Sequence, residues 1–222
     1  MALAQLKILS TLEEYLALER EAEVRHEYLD GEIYEMAGES LAHGYICTNL
    51  AGQLYTQLRG TPCGVLAKDM KVLSGPYLKT RRPAKGLFSY PDLVVVCGEP
   101  QFHDERRDVL LNPTVIIEVL SPSTEAFDRG AKFRRYRTHL PSLTDYMLIA
   151  QELPFIDHYQ YQDELQRWVL TSAVGLEGSL YIAPIDCTLR LADVYDRVEF
   201  PDEEFPDETM ETDDAEPEVG AG

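Results

Sequence analysis

The chain has 222 residues, of which 45% are hydrophobic and 27% are charged. This composition is typical of a soluble globular protein with a sizeable core, and the absence of a run of about 18 apolar residues argues against a membrane-spanning helix. The first residues lack a basic region followed by a long apolar stretch, so we expect no signal peptide and a cytoplasmic protein.

The net charge of −19 is distributed unevenly along the chain. Residues 196–222 hold twelve acidic residues against one base, Arg197. Two other stretches are basic: residues 68–85 hold six bases against one acid, and residues 129–137 hold five bases and no acid. The net charge therefore does not exclude an anionic partner such as a nucleic acid, because a local basic surface can bind one.

The N-terminal part of the chain predicts a helix, a hairpin and a longer helix. Ser10-Thr-Leu-Glu13 is a capping-box pattern, so we expect a short helix to begin there. The Asp30-Gly31 pair between strand-like residues 25–29 and 32–36 is typical of a tight β-hairpin turn. Apolar residues spaced along one helix face predict a helix over residues 40–58.

The middle of the chain contains two strongly apolar segments. Residues 93–97 and 114–120 are short β-branched runs, which are typical of strands buried on both faces of a sheet. Residues 65–73 predict a strand or a hairpin arm. Residues 75–89 are rich in glycine, proline and bases and predict an exposed loop, whereas residues 99–112 predict a polar surface connection.

The C-terminal half predicts a helix followed by strands. A helix begins at Ser123-Thr124 and runs to about residue 139; strand-like segments cover 145–150, 155–161 and 165–171, and a strand with a short helix covers 185–195. We therefore expect an α/β fold (mixed α+β) with a central mixed sheet flanked by helices. Residues 1–195 would form one domain, and residues 196–222 an acidic, disordered tail.

The four cysteines, Cys47, Cys63, Cys97 and Cys187, are scattered along the chain. Zinc ribbons and redox motifs place two cysteines two to four residues apart, and these cysteines do not follow that spacing. We therefore expect free, mostly buried thiols in a reducing compartment.

Two carboxylates stand out because they occur in otherwise aliphatic strands. Asp92 begins the segment Asp92-Leu-Val-Val-Val, and Glu118 interrupts Val115-Ile-Ile-Glu118-Val-Leu. An unpaired ionised group costs several kcal/mol when it is buried. Two such acids on neighbouring strands would repel each other unless a cation lies between them, and hard divalent cations prefer oxygen ligands. A strand-edge or turn role remains an alternative for Asp92.

A third candidate lies on the helix that follows Glu118. Asp128, Lys132 and Tyr136 recur every four residues and therefore share one helix face. Lys132 could reach back to the carboxylates, where an ammonium would stabilise developing negative charge and position a water molecule. An ordinary surface ion pair between Asp128 and Lys132 is the alternative interpretation.

These motifs resemble a known family. Pro91-Asp92, Ile117-Glu-Val-Leu-Ser-Pro-Ser-Thr124 and Asp128-Arg-Gly-Ala-Lys132-Phe-Arg-Arg-Tyr136 are similar to motifs of the Uma-type family, a large bacterial group of restriction-endonuclease-like proteins in the PD-(D/E)XK nuclease superfamily. The resemblance covers roughly residues 9–195. It extends to the following segments: Thr11-Leu-Glu-Glu-Tyr15, Arg25-His-Glu-Tyr-Leu-Asp-Gly-Glu-Ile33, His43, Lys68-Asp69-Met70 and Leu191-Ala-Asp-Val-Tyr195.

The resemblance implies a restriction-endonuclease-like fold and hydrolysis of DNA phosphodiester bonds with Mg²⁺, for which Mn²⁺ could substitute. Asp92, Glu118 and the carbonyl of Val119 would hold the metal, and Lys132 would orient the attacking water. One departure matters: the superfamily usually places a lysine two residues after the acid, where this chain has Leu120. The resemblance implies that Lys132 replaces it.

Four further residues are candidates for a supporting role: Glu32, His43, Asp69 and Tyr136. Glu32 could instead be an exposed hairpin acid, and His43 a structural or solvated side chain rather than a phosphate contact. Tyr136 would pack beside Lys132 or donate a hydrogen bond to a carboxylate. A DNA backbone contact is the hypothesis for the loop residues Lys79, Arg81 and Arg82, and the fold family implies a homodimer.

Two alternatives to a nuclease remain open from the sequence. Leu120 at the usual lysine position is compatible with a catalytically silent nuclease fold that binds DNA or protein. The other is a regulatory protein whose acidic tail competes with DNA for a basic surface, with a tail that only aids solubility as the simpler interpretation.

Overall fold

The structure is a computed structural model that describes residues 9–36, 38–75 and 85–201. The α-helices of this part of the chain are α1 (Leu12–Glu19), α2 (Leu41–Leu58), α3 (Glu125–Phe127), α4 (Phe133–His139) and α5 (Leu191–Val194). One π-helical turn (Asp128–Lys132) joins α3 to α4, and short 3₁₀ helices cover Asp163–Leu165 and Ala183–Ile185. None of its helices is both long and apolar enough to cross a membrane.

Thirteen strands in the described residues form three sheets. They are β1 (His26–Leu29), β2 (Glu32–Glu35), β3 (Cys63–Ala67), β4 (Lys71–Ser74), β5 (Leu87–Ser89), β6 (Leu93–Cys97), β7 (Val109–Leu110), β8 (Val115–Val119), β9 (Asp145–Ile149), β10 (Phe155–Gln162), β11 (Arg167–Val174), β12 (Ser179–Ile182) and β13 (Cys187–Arg190). The central sheet has the order β11-β10-β9-β8-β6-β3, the second sheet the order β2-β1-β5-β4-β7, and β12 pairs with β13.

The central sheet is covered on both faces, which explains why its inner strands are apolar throughout. On one face, helices α2 and α5 and the β12–β13 hairpin pack against residues such as Leu93 and Ile117. On the other face, α4 and part of the second sheet pack against residues such as Val94 and Ile116. Strands β6 and β8 are antiparallel, and β8 and β9 are parallel. The expected mixed sheet flanked by helices is thus confirmed.

Several predicted elements differ from the structure in extent. Residues 87–89, expected in an exposed loop, form the buried strand β5, because Leu87 and Phe88 pack into two different cores. Residues 65–73 contribute to β3 and β4, which belong to different sheets. The expected surface connection 99–112 includes the buried strand β7, and β12 was not predicted. Residues 76–84 lie outside the described part of the chain.

The prediction of four free thiols was wrong for two of them. Cys63 and Cys97 lie opposite each other on β3 and β6 and form a disulfide, whereas Cys47 and Cys187 are free and buried. Sequence spacing could not reveal this pair, because strand register brings together residues that are 34 positions apart. The cysteines therefore do not support a reducing compartment.

The first helix is capped one residue later than the sequence pattern indicated. The Thr11 hydroxyl accepts the Glu14 N–H at 3.1 Å, and the Glu14 carboxylate accepts the Thr11 N–H at 2.7 Å. Ser10 instead uses its N–H to bind the Gly31 carbonyl at 2.8 Å, which ties the helix start to the hairpin turn. The capping box is therefore Thr11–Glu14 and not Ser10–Glu13.

We predict that Thr11→Ala lowers the free energy of unfolding by about 1 kcal/mol, because it removes the oxygen that caps α1. Urea unfolding followed by circular dichroism measures the change. Thr56→Ala is the matched control: Thr56 is exposed inside α2 and binds only the Gly52 carbonyl, so we expect a change below about 0.5 kcal/mol. Equal effects of the two substitutions would contradict the capping assignment.

Candidate active site

Strand register places Asp92 and Glu118 side by side. Leu93 pairs with Ile117 in the antiparallel β6–β8 ladder, so the next position brings Asp92 opposite Glu118. Glu118 follows the alternation of Ile116 and faces α4, whereas the Asp92 carboxylate, at the end of the ladder, contacts His43 of α2 and the Val119 N–H. The Val119 N–H donates to Asp92 Oδ2 at 2.7 Å, which confirms that the carboxylate bends across to β8.

The ammonium of Lys132 lies at the centre of a cluster of acids. Its Nζ atom is 2.9 Å from Glu118 Oε1, 3.2 Å from Asp128 Oδ1 and 3.7 Å from Glu27 Oε1. Lys132 is 5% exposed, and Glu118 and Asp128 are each 3% exposed. This is a buried ionic cluster, so the alternative of a surface pair between Asp128 and Lys132 is excluded.

The lysine reaches the strand from a distorted part of the helix. Asp128 and Lys132 are the first and last residues of the π-helical turn between α3 and α4. Turns of this kind occur frequently at functional sites. The Tyr146 hydroxyl donates to the Asp128 carbonyl at 3.0 Å and so anchors the turn to the sheet. Leu120, at the position of the usual lysine, is buried against α4 as part of the apolar core.

A tyrosine holds the Glu118 carboxylate from the other side. The Tyr136 hydroxyl donates to Glu118 Oε1 at 3.2 Å and lies 2.7 Å from Ser89 Oγ. Tyr136 is fully buried, one helical turn after Lys132. Of the two roles expected for Tyr136, the structure shows the hydrogen bond to a carboxylate.

Burial and the neighbouring charges shift the pKa values of Glu118 and Lys132. Burial raises the pKa of Glu118 well above its ordinary value of 4.5, and the Lys132 ammonium only partly offsets this while the Asp128 and Asp92 carboxylates add to it. For Lys132, burial lowers the pKa, but the Glu118 and Glu27 carboxylates outweigh burial and hold the pKa well above 10.5. Burial and the neighbouring carboxylates therefore favour the neutral form of Glu118, whereas the same carboxylates keep Lys132 charged.

Asp92 is also bound from the start of α2. His43 Nε2 is 3.2 Å from Asp92 Oδ1, and His43 Nδ1 is 2.9 Å from Glu39 Oε2. Lys68 forms an ion pair with the same Glu39 oxygen. Burial lowers the pKa of His43, but the two carboxylates outweigh it and hold the pKa above its ordinary value of 6.5.

The remaining candidates lie in other places. Glu32 is in the β1–β2 hairpin, where the Tyr34 hydroxyl donates to it. Asp69 forms an ion pair with Arg25, and its side chain is 75% exposed. Lys79, Arg81 and Arg82 lie outside the described residues.

Sequence reasoning missed Glu27 and Glu39. The Tyr90 N–H donates to Glu27 Oε1 at 3.0 Å, which aims this carboxylate at the cluster from the second sheet. The sequence did contain a signal for Glu27, because this acid lies inside the predicted strand 25–29. For Glu39, the signal was its position just before the start of α2, four residues from His43.

The donors near Asp92 suit a hard divalent cation. The Asp92 and Glu118 carboxylates and the Val119 carbonyl supply only oxygen atoms, which Mg²⁺ prefers. The Asp92 side chain is 19% exposed, so an ion and its water molecules can approach it from solvent. The residues present therefore fit a magnesium site.

A known protein family matches most of the chain. The Uma2 family, described as "Putative restriction endonuclease", matches residues 12–191, which include every residue of the cluster. The chain belongs to the Uma2 family. The resemblance seen in the sequence motifs is thereby confirmed.

Two proteins of the cyanobacterium Synechocystis sp. (strain ATCC 27184 / PCC 6803 / Kazusa) are similar to this Uma2 chain. The uncharacterized protein sll1609 is 35% identical over 175 residues, which are 79% of this chain and 93% of that protein. The uncharacterized protein slr1290 is 37% identical over 152 residues, which are 68% of this chain and 74% of that protein.

A solved structure shares the fold. The crystal structure of "a putative nuclease belonging to DUF820" from Anabaena variabilis ATCC 29413 superposes with a TM-score of 0.66. The match covers 84% of this chain and 97% of the other, at 16% sequence identity. At that identity the comparison supports the fold, and the function is argued from the site itself.

We predict that Lys132→Met lowers the free energy of unfolding by about 3–5 kcal/mol, because it leaves the Glu118 and Asp128 carboxylates buried without a cation. Urea unfolding in chelator measures the change. Adding Glu118→Gln to Lys132→Met should recover part of the loss, because it removes one of the stranded charges.

Arg134→Met is the control for the Lys132 prediction, since Arg134 is exposed on the same helix and its replacement should cost below about 0.5 kcal/mol. An unchanged urea midpoint for Lys132→Met would show that the ionic cluster does not support the fold.

Proposed function

We propose that this Uma2 protein is a metal-dependent endonuclease that hydrolyses phosphodiester bonds of DNA, with Mg²⁺ as its metal and Mn²⁺ as a substitute. The family description and the nuclease-like fold support a nuclease. Metal dependence is inferred from the oxygen ligands of the cluster, and the DNA substrate from the basic side chains on elements near it.

One observation carries the proposal: the Lys132 ammonium lies 2.9 Å from Glu118 although the usual lysine position is occupied by Leu120. A helix residue thus supplies the charge that a strand residue supplies in related nucleases. A cluster that served stability alone would not need this arrangement, because apolar residues of similar volume stabilise a core equally well or better.

Each residue then has a role that follows from its contacts. Asp92, Glu118 and the Val119 carbonyl would hold the divalent ion, which when bound supplies Lewis-acid activation of the phosphate and of a water. Lys132 would orient the attacking water and stabilise charge that develops on the phosphate. Tyr136 fixes the Glu118 carboxylate, and His43 fixes the carboxylate of Asp92.

DNA is the proposed substrate because basic side chains lie on the elements around the cluster. Arg134 and Arg137 are exposed on α4, the helix that follows Lys132. We also retain Lys79, Arg81 and Arg82 as proposed backbone contacts, since these three bases lie close together in the chain. Such contacts bind phosphates without reading sequence.

Two further proposals concern assembly and location. Cleavage of both strands of a duplex requires two active sites, so we propose a homodimer, which sedimentation analysis can test. The cytoplasm remains the proposed location.

We predict that Glu118→Gln reduces Mg²⁺-dependent cleavage of plasmid DNA by about 100-fold or more, because it removes a metal ligand while keeping the shape of the side chain. A nicking and linearisation assay with Mg²⁺, Mn²⁺ or chelator measures the rate. Glu35→Gln, at an exposed position of β2, should cleave like the parent protein.

Two outcomes of the cleavage assay would reject the nuclease assignment. Glu118→Gln could cut as fast as the parent, which would place the reaction elsewhere. The parent could bind DNA without any divalent-dependent cleavage, which would favour the silent binding module that Leu120 leaves open.

We predict that replacing Lys79, Arg81 and Arg82 by alanine weakens DNA binding and lowers the salt dependence of the affinity. Each lost phosphate contact should reduce the slope of log K against log salt by about 0.9. Fluorescence anisotropy in the Glu118→Gln background measures binding without cleavage. Replacement of Arg190 and Arg197, whose side chains are 73% and 74% exposed, is the control; an equal effect would contradict a specific role of the loop.

A further inference from the structure

A second group of ligand-type side chains lies at the start of α2, and the nuclease proposal uses it only in part. Glu39, His43 and Cys47 are spaced by four residues, and one donor atom of each lies within 4.8 Å of the other two. His43 Nδ1 is 2.9 Å from Glu39 Oε2 and 3.5 Å from Cys47 Sγ. We name these three residues the α2 cluster.

The donors of the α2 cluster differ in kind from those of Asp92 and Glu118. A thiolate, an imidazole and a carboxylate form a mixed sulfur, nitrogen and oxygen set, which suits Zn²⁺ and does not suit Mg²⁺. Zinc bonds of about 2.0–2.3 Å in a tetrahedral site place donor atoms about 3.3–3.8 Å apart. The Cys47–His43 separation of 3.5 Å already has this value, whereas the 2.9 Å between His43 Nδ1 and Glu39 Oε2 would lengthen slightly on binding.

The partner of the other His43 nitrogen supports the same conclusion. Histidines that bind zinc through one nitrogen usually donate the other N–H to a carboxylate, which fixes the ring and its tautomer. His43 Nε2 lies 3.2 Å from Asp92 Oδ1, so Nδ1 is directed at Glu39 and Cys47. A histidine that only packs against its neighbours would not need this contact between Nε2 and a carboxylate.

An ion could reach the α2 cluster from the side of Glu39. Cys47 is 3% exposed and lies inside the core, whereas the Glu39 side chain is 46% exposed. Lys68 forms an ion pair with Glu39 from solvent, so a cation already approaches this carboxylate. The Lys68 side chain is 30% exposed and can move aside when a divalent ion binds.

We propose that Glu39, His43 and Cys47 form a zinc site with water as the fourth ligand, distinct from the magnesium site and joined to it by the His43–Asp92 contact. Binding replaces the thiol proton of Cys47, which is released to solvent. The site does not depend on the proposed nuclease activity, because it is defined by binding alone.

Cobalt spectroscopy tests the zinc site directly, since Co²⁺ takes the place of Zn²⁺ and reports its ligands. Protein freed of metal with chelator is titrated with Co²⁺. We expect one equivalent to produce a thiolate-to-cobalt charge-transfer band in the near ultraviolet and the visible bands of a tetrahedral ion. Zn²⁺ should abolish both, and excess Mg²⁺ should leave both in place.

Three variants assign the bands to residues. Cys47→Ala should lose the charge-transfer band and weaken Zn²⁺ binding by about 100-fold or more. Cys187→Ala, which removes the other free and buried thiol, should keep the charge-transfer band and the Zn²⁺ affinity of the parent protein. Glu39→Gln changes a half-exposed side chain, so it should fold normally and weaken Zn²⁺ binding by about tenfold or more, even if Cys47→Ala fails to fold.

Three results would overturn the zinc site. The protein could take up no Co²⁺, or it could bind Co²⁺ with oxygen and nitrogen ligands and no thiolate band. Alternatively, Glu39→Gln could bind Zn²⁺ as tightly as the parent. None of these results depends on DNA cleavage, so a failed zinc site and a failed nuclease assignment are distinguishable.

Discussion

The ammonium of Lys132, buried among the carboxylates of Glu118, Asp128 and Glu27, is the interaction on which the rest of the site depends. Each charge would cost several kcal/mol if it were buried alone. The lysine lies on the π-helical turn, while Glu118 lies on the central sheet and Glu27 on the second sheet. The ion pairs therefore fix three parts of the molecule relative to one another, and hydrogen bonds from Tyr136 and Tyr90 hold two of the carboxylates in place.

The sheet positions the acids of this cluster, and the helix positions its lysine. Antiparallel pairing of β6 and β8 brings two acids together without any contribution from side-chain chemistry, because register alone sets the distance. The lysine comes from a helix whose distorted first turn is anchored by Tyr146. Since the lysine does not need to lie on β8, position 120 can hold a leucine that completes the apolar core under α4.

Much of this arrangement could be predicted from the sequence, and the exceptions share one cause. Asp92 and Glu118 were evident because carboxylates interrupt aliphatic strands, and Lys132 because it recurs with Asp128 and Tyr136 at helical spacing. Glu27 was missed because a hairpin acid is normally exposed, and it reaches Lys132 only because the second sheet packs near α4. The Cys63–Cys97 bond and strand β5 were missed for the same reason, since long-range pairing leaves no local pattern.

The most direct test is the position of a manganese ion in a crystal of the protein grown with Mn²⁺, located by anomalous scattering. The account predicts a peak about 2.1 Å from carboxylate oxygens of both Asp92 and Glu118, with the Lys132 ammonium displaced toward Asp128. Manganese bound elsewhere, with the Lys132–Glu118 ion pair still closed, would contradict it and identify the cluster as a structural element.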